Sequence, residues 1–173
     1  MTLGTAGAVS GDSDTAVTFN NNDYVEVAHA SDLLIDEGTI QLWFKTSDIT
    51  QDGTLFSKDA MGYVSGCHVT AEVMTSCEIV VRLQSTTTSY FVRTDNVTQA
   101  ISENEWHHFA FSFGSAGMKL YIDGQLMDTD AYTGGLGTSS GGSGNAETLL
   151  LGASNANSTP GTTDNVNGHY EGE

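Results

Sequence analysis

The sequence predicts an all-β protein, an antiparallel sandwich of two sheets with jelly-roll topology. Its 173 residues contain many short runs in which apolar and polar side chains alternate, the pattern of strands that have one buried face. Clusters of Gly, Ser, Asn and Asp, which favour turns, separate these runs. No long segment has the 3.6-residue periodicity of a helix. Short strands at regular spacing are typical of a sandwich.

The alternation locates the individual strands and their faces. In residues 38–46, for example, it places Ile40 and Leu42 on one face and Gln41 and Trp43 on the other. The predicted strands are residues 15–19, 23–27, 38–46, 53–57, 66–74, 77–84, 89–94, 106–113, 117–123, 125–130 and 147–152.

Two connections between strands have clear signals. Asp123 and Gly124 form an Asp-Gly pair, which predicts a type I′ turn and therefore a hairpin. Residues 134–145 are rich in Gly and Ser and predict a loop within the domain, because strand-like sequence resumes directly after them.

The sequence predicts a single domain over residues 15–173, preceded by a leader or linker at residues 1–14. A chain of this length buries about 70% of the surface that its unfolded form exposes. No segment approaches the 18 apolar residues of a membrane-spanning helix. Residues 167–173 resemble the approach to a further strand, so the sandwich is expected to lack its last strand. A strand left without its neighbour can pair with a complementing peptide from a partner.

The charge balance limits the possible partners. The chain has 22 acidic and 5 basic residues, a formal net charge of −17. Such a protein repels phosphate backbones and anionic membranes, which argues against nucleic-acid binding. It attracts divalent cations, although an acidic surface adapted to a high-salt habitat is an alternative explanation.

Four segments occur in a characteristic order along the chain: residues 19–27, 38–46, 106–124 and 149–168. Together they resemble the laminin G-like, or pentraxin-like, group of the concanavalin A-like lectin/glucanase superfamily. The resemblance implies a calcium-dependent, carbohydrate-binding or adhesive module of a larger secreted bacterial protein, extracellular or at the cell surface. It also implies a closing strand whose first residues match Gly172 and Glu173.

The resemblance implies a calcium site at one rim of the sandwich. Matching positions are Asp59 in the loop after the fourth predicted strand, and Asp164, Asn165 and Asn167 in the last long loop. Calcium takes six to eight oxygen ligands, which such loops supply. The alternative is that Asp and Asn occur there because they form turns. Asp23 is a further candidate ligand.

Catalysis is not expected. A glycosidase needs two carboxyl groups about 5–9 Å apart, and the Glu-x-Asp-x-x-Glu strand of the glucanase members is absent. Asp128 and Asp130 share a strand face but lack a third partner. His107 and His108 are strand neighbours that point to opposite faces, so they cannot ligate one ion and are predicted to be structural.

Three functional hypotheses follow. The first is a non-catalytic carbohydrate-binding or adhesive module, with Tyr63, Tyr132 or Tyr170 in rim loops offering a ring to a sugar face; ordinary packing is the alternative role for each tyrosine. The second is a structural or protein-interaction spacer whose open sheet edge a partner strand completes. The third is an atypical glycoside hydrolase or polysaccharide lyase.

The pairing of Cys67 and Cys77 stays open at this point. A secreted context favours a disulfide. A hairpin with its turn at residues 75–76 opposes it, because the ladder then separates the two residues by roughly 20 Å.

Overall fold

The computed structural model describes residues 1–20, 22–63, 66–95 and 100–173. The described part is all-β, with two single-turn 3₁₀ segments, and each predicted strand is present with ends shifted by at most a few residues. The strands are β1 Thr2–Ala6, β2 Thr15–Thr18, β3 Val25–Val27, β4 Gly38–Phe44, β5 Gly53–Lys58, β6 Val69–Val73, β7 Ile79–Gln84, β8 Ser89–Arg93, β9 His107–Phe113, β10 Met118–Ile122, β11 Gln125–Asp130 and β12 Leu149–Leu151.

The strands form two antiparallel sheets that face each other, as the sequence predicts, and a small third sheet. The order is β3-β12-β5-β6-β7-β8 in the six-stranded sheet and β11-β10-β9-β4 in the four-stranded sheet. Strand β1 pairs with β2 in a separate two-stranded sheet. Because β1 lies within residues 1–14, part of the segment expected to be a leader or linker is a paired strand.

The core lies between the two large sheets. Along β9, Phe109, Phe111 and Phe113 are buried, whereas His108 and Ser112 on the other face are partly exposed. Phe109 meets Phe56 of the opposite sheet edge-to-face, with ring centroids 5.8 Å apart. Alternation along β9 therefore places its three phenylalanines on the core face.

The predicted hairpin between β10 and β11 is present. Asp123 and Gly124 both have positive φ, 51° and 76°, as a type I′ turn requires. The Asp123 carboxylate bonds to Nδ1 of His107 at 2.8 Å and accepts the backbone N–H of His108 at 2.7 Å. Nε2 of His107 accepts the N–H of Ser102 at 2.9 Å, so Nδ1 carries the proton that Asp123 accepts. His107 is thus structural, as predicted.

No disulfide joins Cys67 and Cys77, and both side chains are buried. The N–H of Cys77 donates to Met74 at 2.9 Å and closes the turn between β6 and β7. At the other end of this hairpin, the N–H of Cys67 donates to the carbonyl of Gln84. The two cysteines therefore lie at opposite ends of the ladder, which keeps their sulfur atoms apart.

Residues 171–173 pair with two strands at once. Gly172 forms bridges to Phe19, just after β2, and to Thr46, just after β4. The N–H of Phe19 donates to Gly172 and the N–H of Lys45 donates to Glu173, each at 2.7 Å. The space between β2 and β4, which we call the slot, is therefore one strand wide.

Candidate ligand-binding site

Asp59, a predicted calcium ligand, bonds to other groups of the protein. Its carboxylate is fully buried; Oδ2 accepts from Nη2 of Arg82, Oδ1 lies 2.9 Å from Nδ1 of His68, and Oδ1 accepts the N–H of Ala60 at 2.7 Å. A carboxylate already facing a guanidinium is a poor calcium ligand, because the two cations would repel each other. Asp59 therefore does not fit the predicted site.

The two loops of the predicted calcium site do meet, but through other residues. Oδ1 of Asn155 accepts the N–H of Asp59 at 3.1 Å, and the carbonyl of Ser158 accepts the N–H of Met61 at 2.9 Å. Both Asp164 and Thr159 lie on the surface of the second loop. The N–H of Thr159 donates to the Asp164 carboxylate at 2.8 Å and lowers its pKa.

The other predicted ligands also serve local structure. Backbone groups of Asn167 pair with Ser154 in both directions, and the N–H of Asn165 donates to the hydroxyl of Ser158. Within the described ranges, no three His, Cys, Asp or Glu side chains are placed to hold a metal ion. The calcium ion stays a prediction from the resemblance.

The three predicted tyrosines differ in their exposure. Tyr170 is packed in the core at 3% exposure, so its ring offers no face to a sugar. Tyr132 is half-buried and stacks on Tyr90, with centroids 3.7 Å apart and planes 6° apart, so one of its faces is covered. Only Tyr63 of the three is largely exposed.

A better candidate surface lies on the solvent side of the four-stranded sheet, which we call the outer face. Alternation turns every second residue of its strands outward, and the register aligns them in rows across the sheet. Trp43 is opposite His108. The remaining outward positions on β4, β9 and β10 are Thr39 with Ser112 and Lys119, and Gln41 with Ala110 and Tyr121.

Trp43 dominates the outer face. It is 49% exposed, and its ring centroid lies 5.0 Å from that of His108. Ala110, between Gln41 and Tyr121, has the smallest side chain of the central row. An aromatic face beside hydroxyl, amide and imidazole groups combines apolar contact with hydrogen bonding.

The outer face also differs from the rest of the molecule in charge. Its eight positions on β4, β9 and β10 hold no acidic residue, although the protein has a net charge of −17. Lys119 makes no ion pair with any residue that the structure describes, whereas Lys45 pairs with Glu173 and Arg82 with Asp59. An uncompensated ammonium can therefore meet a ligand here.

Acidic side chains near this sheet are engaged locally. A carboxylate oxygen of Asp128 accepts the N–H of Arg93 at 3.0 Å, and one of Asp130 accepts the N–H of Tyr132 at 2.7 Å. The outward positions named above offer no pair of carboxylates that could flank a glycosidic bond.

The sequence contains a signal for the outer face. Trp43 falls on the polar face of an alternating strand, together with Gln41. A large aromatic at such a position is exposed by the alternation itself. The neighbouring positions Ala110, Lys119 and Tyr121 could be recognised only once the strand register was known.

Comparisons with known proteins agree with this architecture. A laminin G family model described as concanavalin A-like lectin/glucanases superfamily matches residues 19–169. No curated protein sequence matches the chain. No helix in the described ranges is long and apolar enough to cross a membrane.

Several solved structures share the fold at low sequence identity. The CBM40 module of Ruminococcus gnavus IT-sialidase has 14% identity and a TM-score of 0.61, over 87% of this chain and 85% of the module; it has also been solved bound to α2,3-sialyllactose. Mouse laminin α1 domains LG4-5 have 12% identity and a TM-score of 0.65, over 90% of this chain and 39% of theirs.

NanB sialidase of Streptococcus pneumoniae has 16% identity and a TM-score of 0.67, with 90% of this chain but only 24% of the sialidase aligned. These likenesses are structural. The family match, in contrast, covers most of the sequence. The chain belongs to the concanavalin A-like lectin/glucanases superfamily, as a laminin G-type β-sandwich.

Proposed function

We propose that the protein is a non-catalytic carbohydrate-binding module and that glycans bind to its outer face. The observation that carries the proposal is the exposure of Trp43 on the solvent side of the four-stranded sheet, in the same or the adjacent row as Gln41, His108 and Tyr121. Support for the ligand class comes from the CBM40 module, which shares the fold and was solved with sialyllactose.

The outer face suits a sugar chain in its dimensions. Neighbouring strands lie about 4.8 Å apart, so Trp43 on β4 and Tyr121 on β10 are separated by roughly 10 Å across the sheet. Paired strands hold these side chains in fixed positions, which limits the entropy lost on binding. Lys119, at the far row, gives the face a preference for a glycan that carries a carboxylate.

Changing Trp43 to alanine tests the proposal. A glycan array with the wild-type protein identifies binders, and titration calorimetry with α2,3-sialyllactose and lactose measures affinity. We expect W43A to lose at least about tenfold in affinity, or about 1.4 kcal/mol. The matched control is F91A, since Phe91 is also exposed, at 41%, but lies on the other sheet.

Lys119 provides a second arm of this experiment. K119Q should weaken binding of the sialylated sugar and leave a neutral binder unchanged, because only the former offers a carboxylate. Unchanged affinity in W43A, or equal losses in W43A and F91A, would contradict a site on the outer face.

We also propose that the module belongs to a larger secreted protein and acts outside the cell or at its surface. In support, the chain aligns with only part of the mouse laminin and NanB chains. Calcium dependence remains part of the proposal through the second loop, where Asp164, Asn165 and Asn167 supply oxygens. Binding to the outer face itself involves no predicted metal ligand.

The second hypothesis, an interaction module whose open sheet edge a partner strand completes, stays a prediction, because it is Gly172 of the chain itself that pairs with Phe19 and Thr46 at this edge. For the third hypothesis, a glycoside hydrolase or lyase, the outward positions of the four-stranded sheet offer no pair of carboxylates that could flank a glycosidic bond.

A further inference from the structure

The outer face changes its chemistry along the direction of its strands. Directly opposite residues of paired strands point to the same side of a sheet, so the register defines rows of side chains. One row has Trp43 opposite His108. The next row runs from Gln41 through Ala110 and Tyr121 to Leu126, and the last from Thr39 through Ser112 and Lys119 to Thr129. The aromatic row and the cationic row are thus separated by one row.

The row of Lys119 consists of hydrogen-bond donors. Ser112 and Thr129 lie directly opposite Lys119 on its two neighbouring strands, and each carries a hydroxyl group. Lys119 is partly exposed and Thr129 is exposed. An ammonium with a hydroxyl on each side can donate to both oxygens of one carboxylate.

Trp43 and Lys119 are too far apart for one sugar to reach both. Two strand spacings of about 4.8 Å and four residues of about 3.4 Å rise lie between them, so their Cα atoms are separated by roughly 17 Å. A pyranose ring advances a glycan chain by about one strand spacing. A sugar on the indole and a carboxylate at the ammonium therefore belong to different units, and Tyr121 lies between them.

The charge of the protein limits how many carboxylates the ligand carries. With a formal net charge of −17, the protein repels a polyanion at long range. On the outer face Lys45 is neutralised by Glu173, whereas Lys119 makes no ion pair with any residue that the structure describes. One uncompensated ammonium matches one carboxylate, and a polysulfated chain gains too few contacts to offset the repulsion.

We infer that the outer face binds an oligosaccharide of at least three units in one direction, with a carboxylated end unit at Lys119 and a neutral unit on Trp43. This inference rests on the proposed function and names its ligand class. The middle unit lies on the row of Tyr121 and Leu126, where the tyrosine ring and the 54% exposed leucine offer apolar contact. A sialic acid and a uronic acid supply the same carboxylate, so either can form the end unit.

Ligands of increasing length test the direction of binding. The probes are N-acetylneuraminic acid, α2,3-sialyllactose, lactose, and glucuronic acid linked to cellobiose. Two-dimensional NMR follows the backbone amides of Lys119 and Thr129 and the indole N–H of Trp43, which W43A assigns. We expect N-acetylneuraminic acid to shift the two amides alone, and both acidic trisaccharides to shift the indole as well.

Affinities of variants provide a second readout. W43A should weaken α2,3-sialyllactose at least about tenfold and leave N-acetylneuraminic acid unchanged, because the single unit does not reach the indole. K119Q should weaken both by about twofold to fivefold, the range of an exposed ion pair. F91A on the other sheet is the matched control and should change neither, and heparin, a polysulfated glycan, should not displace α2,3-sialyllactose.

The outcomes separate this inference from the proposed function. Binding of only one acidic trisaccharide in the expected direction supports the inference and identifies the source of the carboxylate. Equal W43A losses for N-acetylneuraminic acid and α2,3-sialyllactose, displacement by heparin, or a neutral glycan that binds at Trp43 while neither acidic trisaccharide binds would overturn the inference and leave the outer-face site standing. Absence of binding by every glycan of the array would overturn the proposed function together with it.

Discussion

Replacing Arg82 with leucine tests how the fold tolerates a buried carboxylate. Asp59 is 0% exposed and Arg82 is 24% exposed at their side chains, and Oδ1 of Asp59 lies 2.9 Å from Nδ1 of His68. Removing one partner of a buried pair leaves an uncompensated charge, which costs about 3–5 kcal/mol. Because Arg82 reaches solvent and His68 remains, we expect R82L to lose about 3 kcal/mol, the lower end of that range.

Urea and thermal unfolding measure this loss. In a domain of this size each kcal/mol corresponds to about 2–4 °C, so the Tm of R82L should fall by roughly 6–12 °C. The matched control is R93L, because the Arg93 guanidinium is 51% exposed and lies 3.9 Å from Glu78. Loss of such a surface pair should cost at most about 1 kcal/mol.

A double-mutant cycle isolates the interaction itself. D59N removes the charge that Arg82 compensates. The loss of unfolding free energy in the D59N/R82L protein should therefore be smaller than the sum of the losses in D59N and R82L, by about 1 kcal/mol or more. An R82L protein within about 0.5 kcal/mol of wild type, or strictly additive losses, would refute the view that Arg82 compensates Asp59.

Two further predictions concern pH and metal. Burial lowers the pKa of Lys58 from 10.5 to about 8, although its ammonium donates to the carbonyls of Asn145 and Glu147. Between these two pKa values the unfolded chain binds more protons than the folded protein. The free energy of unfolding should therefore rise with pH across that window. Urea titrations of wild type and K58M from pH 7.5 to 10 should show this rise only in the wild type, and parallel curves would contradict it. Calcium bound near Asp164 should raise the Tm. At 100 times its dissociation constant the ion adds about 2.7 kcal/mol to the free energy of unfolding, and D164N should lack this gain. Equal melting of the wild type in calcium and in EDTA would remove the calcium prediction.

The fold was largely predictable because local rules determine it. Alternation located the strands, and the same rule placed His107 and His108 on opposite faces of β9. The Asp123-Gly124 pair specified its turn through the positive φ that both residues adopt. Strand β1 was missed because its sequence, residues 2–6, has little alternation and few apolar residues; its pairing with β2 is a tertiary effect.

The site was less predictable because it depends on contacts between distant residues. The resemblance offered Asp59 as a calcium ligand, and nothing in the local sequence shows that Arg82, on another strand, faces it. Tyr170 lies in a loop-like sequence, yet the fold packs it into the core. Alternation placed Trp43 on the same strand face as Gln41, but the outer-face residues Lys119 and Tyr121 come from a strand far along the chain.

The single carboxylate of Asp123 ties the tip of a hairpin to both surfaces of the sheet. One oxygen fixes the tautomer of His107 on the core side, and the other holds the backbone of His108, whose ring supports Trp43 outside. Opening of this turn would therefore break contacts on the core side and on the outer face together. A hairpin end, normally the softest part of a sheet, is in this way coupled to both of its surfaces.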